Sequence, residues 1–60
     1  MNKIKKYRKE QGITLEKLSN ITGLSVGYLS HLEIGTRDNP TMKTILKIST
    51  ALNKPVHDIF

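Results

Sequence analysis

The sequence predicts an all-α fold, a compact bundle of five short helices, on three observations. Apolar residues recur at helical spacing in separate blocks, most clearly in "ILKISTAL" at 45 to 52. No block alternates apolar and polar residues as a half-buried strand would. Glycine, proline and small hydroxyl residues punctuate the chain so often that every element must be brief. Sixty residues, 1 to 60, make a single domain. A chain of that size buries only about 60% of the surface its unfolded form exposes, so the core must be small.

The first helix is expected over residues 2 to 11, with Ile4, Tyr7 and Arg8 on one face and Gly12 as a left-handed stop. Thr14 caps a second over 15 to 22, where Leu15 and Leu18 stand three apart, and Gly23 ends it. Ser25 caps a third over 26 to 34, with Leu29 and Leu32 inward, Leu24 just before them and Gly35 closing it. "TRDNP" reads as a loop, since Pro40 disfavours helix at Asn39. Thr41 caps the fourth helix, 42 to 52, whose inward stripe reads Ile45, Leu46, Ile48, Ser49 and Leu52, and Asn53 ends it. Pro55 opens a last short turn carrying Val56, Ile59 and Phe60.

Composition narrows the function. With no cysteine there is neither a disulfide nor a thiolate metal site, which fits a reducing cytoplasm. No apolar run approaches the roughly 18 residues of a membrane span, and "MNKIKKYRKE" leads into charge rather than a signal region, so a cytoplasmic chain without a membrane partner is expected. The residues offer little for catalysis: His31 and His57 are far apart in sequence, Asp38 and Asp58 lack a companion carboxylate, and no glycine-rich phosphate loop or metal-ligand cluster is present. Neither a cofactor nor a metal nor a small-molecule ligand is expected. Ten Lys and Arg against five Asp and Glu give a net charge of +5, which suits a polyanion. Half of these cations, Lys3, Lys5, Lys6, Arg8 and Lys9, crowd the first helix; the others are Lys17, Arg37, Lys43, Lys47 and Lys54.

Helices 15 to 22 and 26 to 34, joined through Gly23, form a helix-turn-helix pattern. "ITLEKLSNITGLSVGYLSHLEIG" followed by "NPTMKTILKISTALNKPVHDIF" resembles the lambda-repressor-like, Cro-type DNA-binding domains, or XRE family. The resemblance covers nearly the whole chain. It rests on Arg8, Ile13, Leu18, Ser19 (where the family prefers Ala), Gly23, Leu24, Leu29, Leu32, Glu33, Gly35, Pro40 and "LKISTAL". Within the family, "YRKEQGITLEKLS" and "GYLSHLE" are most similar to SinR-like transcriptional regulators.

The resemblance implies a sequence-specific double-stranded DNA-binding regulator, a repressor, with helix 26 to 34 in the major groove and the helix before it across the phosphates. Ser25 then meets a base or phosphate, Val26 a thymine methyl, Tyr28 a phosphate, and His31 guanine N7 or O6 or a phosphate, while Gly27 lets the backbone approach the groove. Each has a plainer reading: Ser25 as a cap only, Gly27 as a tolerated poor helix former, Tyr28 as a ring packed on its neighbour. Thr14, Leu15, Lys17, Arg37, Thr41 and Lys43 are expected along the phosphate backbone, and the Lys3 to Lys9 cluster as solvated charge. At 15 the family usually carries Gln, whose amide bonds a phosphate; here Leu15 removes that contact and sets an apolar side chain near the backbone or sugar. The family pairs the residues at Arg8 and Glu33. It also commonly acts as two-fold dimers on palindromic operators, for which Ile34, Val56, Ile59 and Phe60 offer apolar surface, Phe60 being expected mainly inside its own domain. The rival class is a protein-interaction module of the same fold, of antitoxin or antirepressor type.

Overall fold

Helix boundaries follow from where side-chain oxygens and left-handed residues stand. In the computed structural model, which describes residues 2–35 and 40–60, five helices occur among the described residues: α1 (Ile4–Glu10), α2 (Leu15–Thr22), α3 (Val26–Ile34), α4 (Met42–Leu52) and α5 (Val56–Ile59). The Oγ1 of Thr14 accepts from the Lys17 amide at 3.0 Å, Ser25 Oγ from the Tyr28 amide at 3.1 Å, and Thr41 Oγ1 from the Thr44 amide at 3.2 Å. Each satisfies an amide that the first helical turn cannot, an effect worth about 1 kcal/mol. Asn53, at φ 55°, is the one non-glycine residue with positive φ among those described, and it ends α4.

The first helix begins later than its apolar spacing suggests, at Ile4 rather than residue 2. Asn2 lies before it and works from outside. Its Oδ1 accepts from the Ile4 amide at 3.1 Å while its Nδ2 donates to the Leu32 carbonyl at 2.8 Å, so one amide side chain starts α1 and ties it to α3.

Every helix contributes to one core: Ile4 from α1, Leu18 from α2, Leu29 and Leu32 from α3, Ile48 and Leu52 from α4, and Ile59 from α5, all at most 2% exposed. Seven side chains are few, and removing any of them by truncation to Ala costs about 2–5 kcal/mol by the general behaviour of such sites. Polar ties reinforce the packing. The Lys3 amide donates to the Ile59 carbonyl at 2.8 Å, Gln11 Nε2 to the Leu52 carbonyl at 2.7 Å, and Ser49 Oγ to the Lys54 carbonyl. The ammonium groups of Lys54 and Lys6 stand 4.9 and 5.6 Å from the Tyr7 ring centre.

Three expectations about apolar residues are corrected. Leu46, assigned to the inward stripe of α4, is 51% exposed, because five positions at that spacing cover more of the helix circumference than the small core can meet. Ile59, assigned to a surface for pairing, is buried within its own domain, since α5 closes the core against α4. Phe60, expected mainly inside, is 40% exposed, one position past the inward-facing Ile59.

Candidate nucleic-acid interface

The α2–α3 connection is held by two devices. Gly23 takes φ 79°, where a side chain would be strained, and its amide donates to the Ser19 carbonyl at 2.8 Å. Thr22, 7% exposed, donates through Oγ1 to the Leu18 carbonyl at 2.8 Å and accepts from the Leu24 amide at 3.1 Å. One hydroxyl thus binds the last turn of α2 to the chain entering α3. The sequence reading missed Thr22; a hydroxyl directly before the turn glycine was the available signal, since such side chains bond local backbone in this way.

A second lock holds the far end of α3. Arg8 Nε donates to Glu33 Oε2 at 2.7 Å and its Nη2 to Glu33 Oε1 at 3.2 Å, a two-pronged contact with side chains only 11% and 6% exposed. Its Nη1 donates to the Ile13 carbonyl at 2.9 Å. Arg8 therefore joins α1, the α1–α2 connection and the last turn of α3.

Between these locks, α3 turns Leu29 and Leu32 inward and leaves Val26, Gly27, His31 and Ile34 exposed. Positions 26, 27, 31 and 34 share one side at helical spacing. Val26 is 39% and Ile34 62% exposed, so this helix carries apolar residues on both sides. A Cβ built on Gly27 meets nothing within 4 Å, so the fold does not require glycine there. Tyr28 is half-buried, its ring packed against the core, and Ser25 caps the helix.

The other expected residues lie at the starts of α2 and α4. Thr14 and Lys17 lie exposed at the start of α2, beside a helix N-terminus that favours anions. Leu15, between them, is half-buried and packs partly against the core. Thr41 and Lys43 are exposed at the start of α4, where the first amides have no acceptor within the helix. Arg37 lies outside the described residues. No helix among the described residues is long and apolar enough to cross a membrane.

Two locked helices, the second presenting a mixed apolar and polar outer face, make up the candidate site, and the matching family model is described as helix-turn-helix and spans residues 4–59. The chain belongs to the helix-turn-helix family. This helix-turn-helix chain is 37% identical over 57 residues to the HTH-type transcriptional regulator SinR of Bacillus subtilis, a match covering 95% of the chain and 51% of SinR. It is 33% identical over 57 residues to the HTH-type transcriptional regulator SlrR of the same organism, covering 95% of the chain and 38% of SlrR. To the uncharacterized HTH-type transcriptional regulator y4dJ of Sinorhizobium fredii it is 43% identical over 47 residues, covering 78% of the chain and 60% of y4dJ. The chain thus spans about half the length of the first of these relatives. No solved structure matches the chain at a significant level.

Proposed function

We propose that the chain is a sequence-specific double-stranded DNA-binding transcriptional regulator, acting as a repressor in the cytoplasm by occupying its site. In this reading α3 lies in the major groove, with Ser25, Val26, Gly27 and His31 toward base edges and Tyr28 toward a phosphate. Thr14, Leu15, Lys17, Arg37, Thr41 and Lys43 line the backbone. The observation that carries it is the outer face of α3. An exposed helical glycine that nothing in the fold requires, next to an exposed valine, makes sense where a second backbone or a base edge comes close. Family and fold point to a protein that is not an enzyme.

The described residues measure 25 × 23 × 18 Å, less than the roughly 34 Å of one turn of duplex, so one copy reaches one half-site. We propose that the chain acts as a homodimer on a palindromic operator, with half-sites about 10 base pairs apart. Ile34 and Phe60, with half-buried Val56, supply the exposed apolar surface for such pairing; Ile59 does not.

Selection of bound duplexes from a random pool, followed by titration at several salt concentrations, tests the reading. If about five phosphates are neutralised, log K should fall against log salt with a slope of roughly −4 to −5, and the selected consensus should be a palindrome. A flat salt response would overturn DNA binding and favour a protein-interaction module. A one-to-one complex on a single asymmetric half-site at saturating protein would overturn the dimer alone.

A further inference from the structure

We propose that the groove between α2 and α4 is a docking site for an acidic amphipathic helix of a partner protein. This surface includes no residue of α3 and does not depend on that helix reading DNA, although it shares Lys43 with the proposed DNA face.

Leu46 from α4 and Ile21 from the end of α2 are 51% and 49% exposed although neither is needed to close the core. They wall a groove of about 440 Å³, with buried Thr22 and half-buried Ala51 as its least exposed lining, and Lys43 and Lys47 beside them. The two lysines stand four apart on α4, on neighbouring turns of one side. An apolar trough flanked by two cations is complementary to a helix with apolar residues along one stripe and carboxylates next to it. From residue 43 to residue 51 the α4 wall runs about 12 Å, the length of roughly two helical turns.

Other occupants fit less well. A small ligand must be largely enclosed, and the half-exposed walls here cannot enclose one. A second copy of this chain carries a net charge of +5 and would bring cations against Lys43 and Lys47. Nucleic acid matches the lysines but leaves the apolar walls uncovered. An anionic lipid surface is flat and suits a protruding apolar face rather than a trough.

The test uses the full chain, isotopically labelled, without DNA, titrated by NMR with three synthetic helical peptides. All share one leucine stripe, and their flanking positions carry glutamate, glutamine or lysine. The glutamate peptide should shift the amides of Ile21, Leu46, Lys47 and Ala51, bind about fivefold tighter than the glutamine peptide at low salt, and lose that advantage at high salt. Leu46→Ala should weaken it while leaving the spectrum folded, because Leu46 is half exposed. Lys47→Glu should reverse the preference toward the lysine peptide. Lys47 is chosen because Lys43 also belongs to the proposed DNA face, so this substitution changes none of the residues proposed to touch DNA. Absence of shifts at millimolar glutamate peptide, shifts mapping to α3, or equal affinity for the glutamate and glutamine peptides would overturn the proposal. So would Leu46-dependent binding to phosphatidylglycerol vesicles without peptide binding.

Discussion

Helices α1 and α3 differ in a way that charge counting alone does not anticipate. Residues 3 to 9 hold five of the ten cations, whereas α3, the helix proposed to read bases, holds neither lysine nor arginine. Inside α1 two of the cations have local work. Arg8 is engaged with Glu33 and Ile13, and Lys6 lies over the Tyr7 ring. On its outer side α3 exposes a valine, a glycine, a histidine and an isoleucine, and in the proposed reading the first three would discriminate base edges by shape, methyl contact and hydrogen bonding rather than by net charge. The comparison teaches that a cluster of cations along a chain need not mark its binding face: in the proposed reading, neutral groups on α3 meet bases while the phosphate contacts come from other helices, not from the lysine-rich α1.

The sharpest way to break this comparison is to remove the α1 cation that holds α3. Arg8→Ala or Glu33→Ala leaves a charge buried without its partner and should cost about 3–5 kcal/mol of stability by the general behaviour of such pairs. The double replacement should cost less than the sum, and additive values in a denaturation cycle would show the pair to be uncoupled.

Replacing Val26 or His31 should change which duplex is preferred, by about 1–3 kcal/mol at the affected base pair. Lys43→Ala should instead weaken all duplexes alike and make the salt slope shallower by about 0.9. Selection on the variants separates the two, and an unchanged consensus from every α3 variant would remove α3 from the reading role.

Gly27→Ala separates fold from function through opposite signs. Open space around the Cβ and the helical setting predict a gain in stability of about 0.5–1 kcal/mol in thermal unfolding. DNA affinity should fall, because the added methyl stands where the groove approaches. A variant both more stable and tighter in binding would show that no backbone approaches at 27.

The smallest effect is expected from Lys5→Ala and Lys9→Ala. Both lysines are exposed on α1, and stability and DNA affinity should each change by no more than about 0.5 kcal/mol. A clear loss of affinity would place α1 against the phosphates and erase the contrast with α3.

Much of the architecture was legible because its signals are local. Thr14, Ser25 and Thr41 bond amides three residues on, and Gly23, Gly35 and Asn53 take the left-handed conformation that stops a helix, so α2, α3 and α4 have the bounds the sequence suggested. Periodicity likewise picked Leu18, Leu29, Leu32, Ile48 and Leu52 for the interior. What only the tertiary structure decided is how far that interior extends. A helix pattern says which residues share a side, but how wide a side is covered depends on what packs against it. Leu46 therefore stays at the surface and Ile59 enters the core. Asn2 and Gln11 bond the carbonyls of Leu32 and Leu52, partners 30 and 41 residues away, and no local pattern encodes a carbonyl brought near by packing. The groove beside α4 belongs to the same class, because it arises where α2 and α4 meet and exists in neither helix by itself.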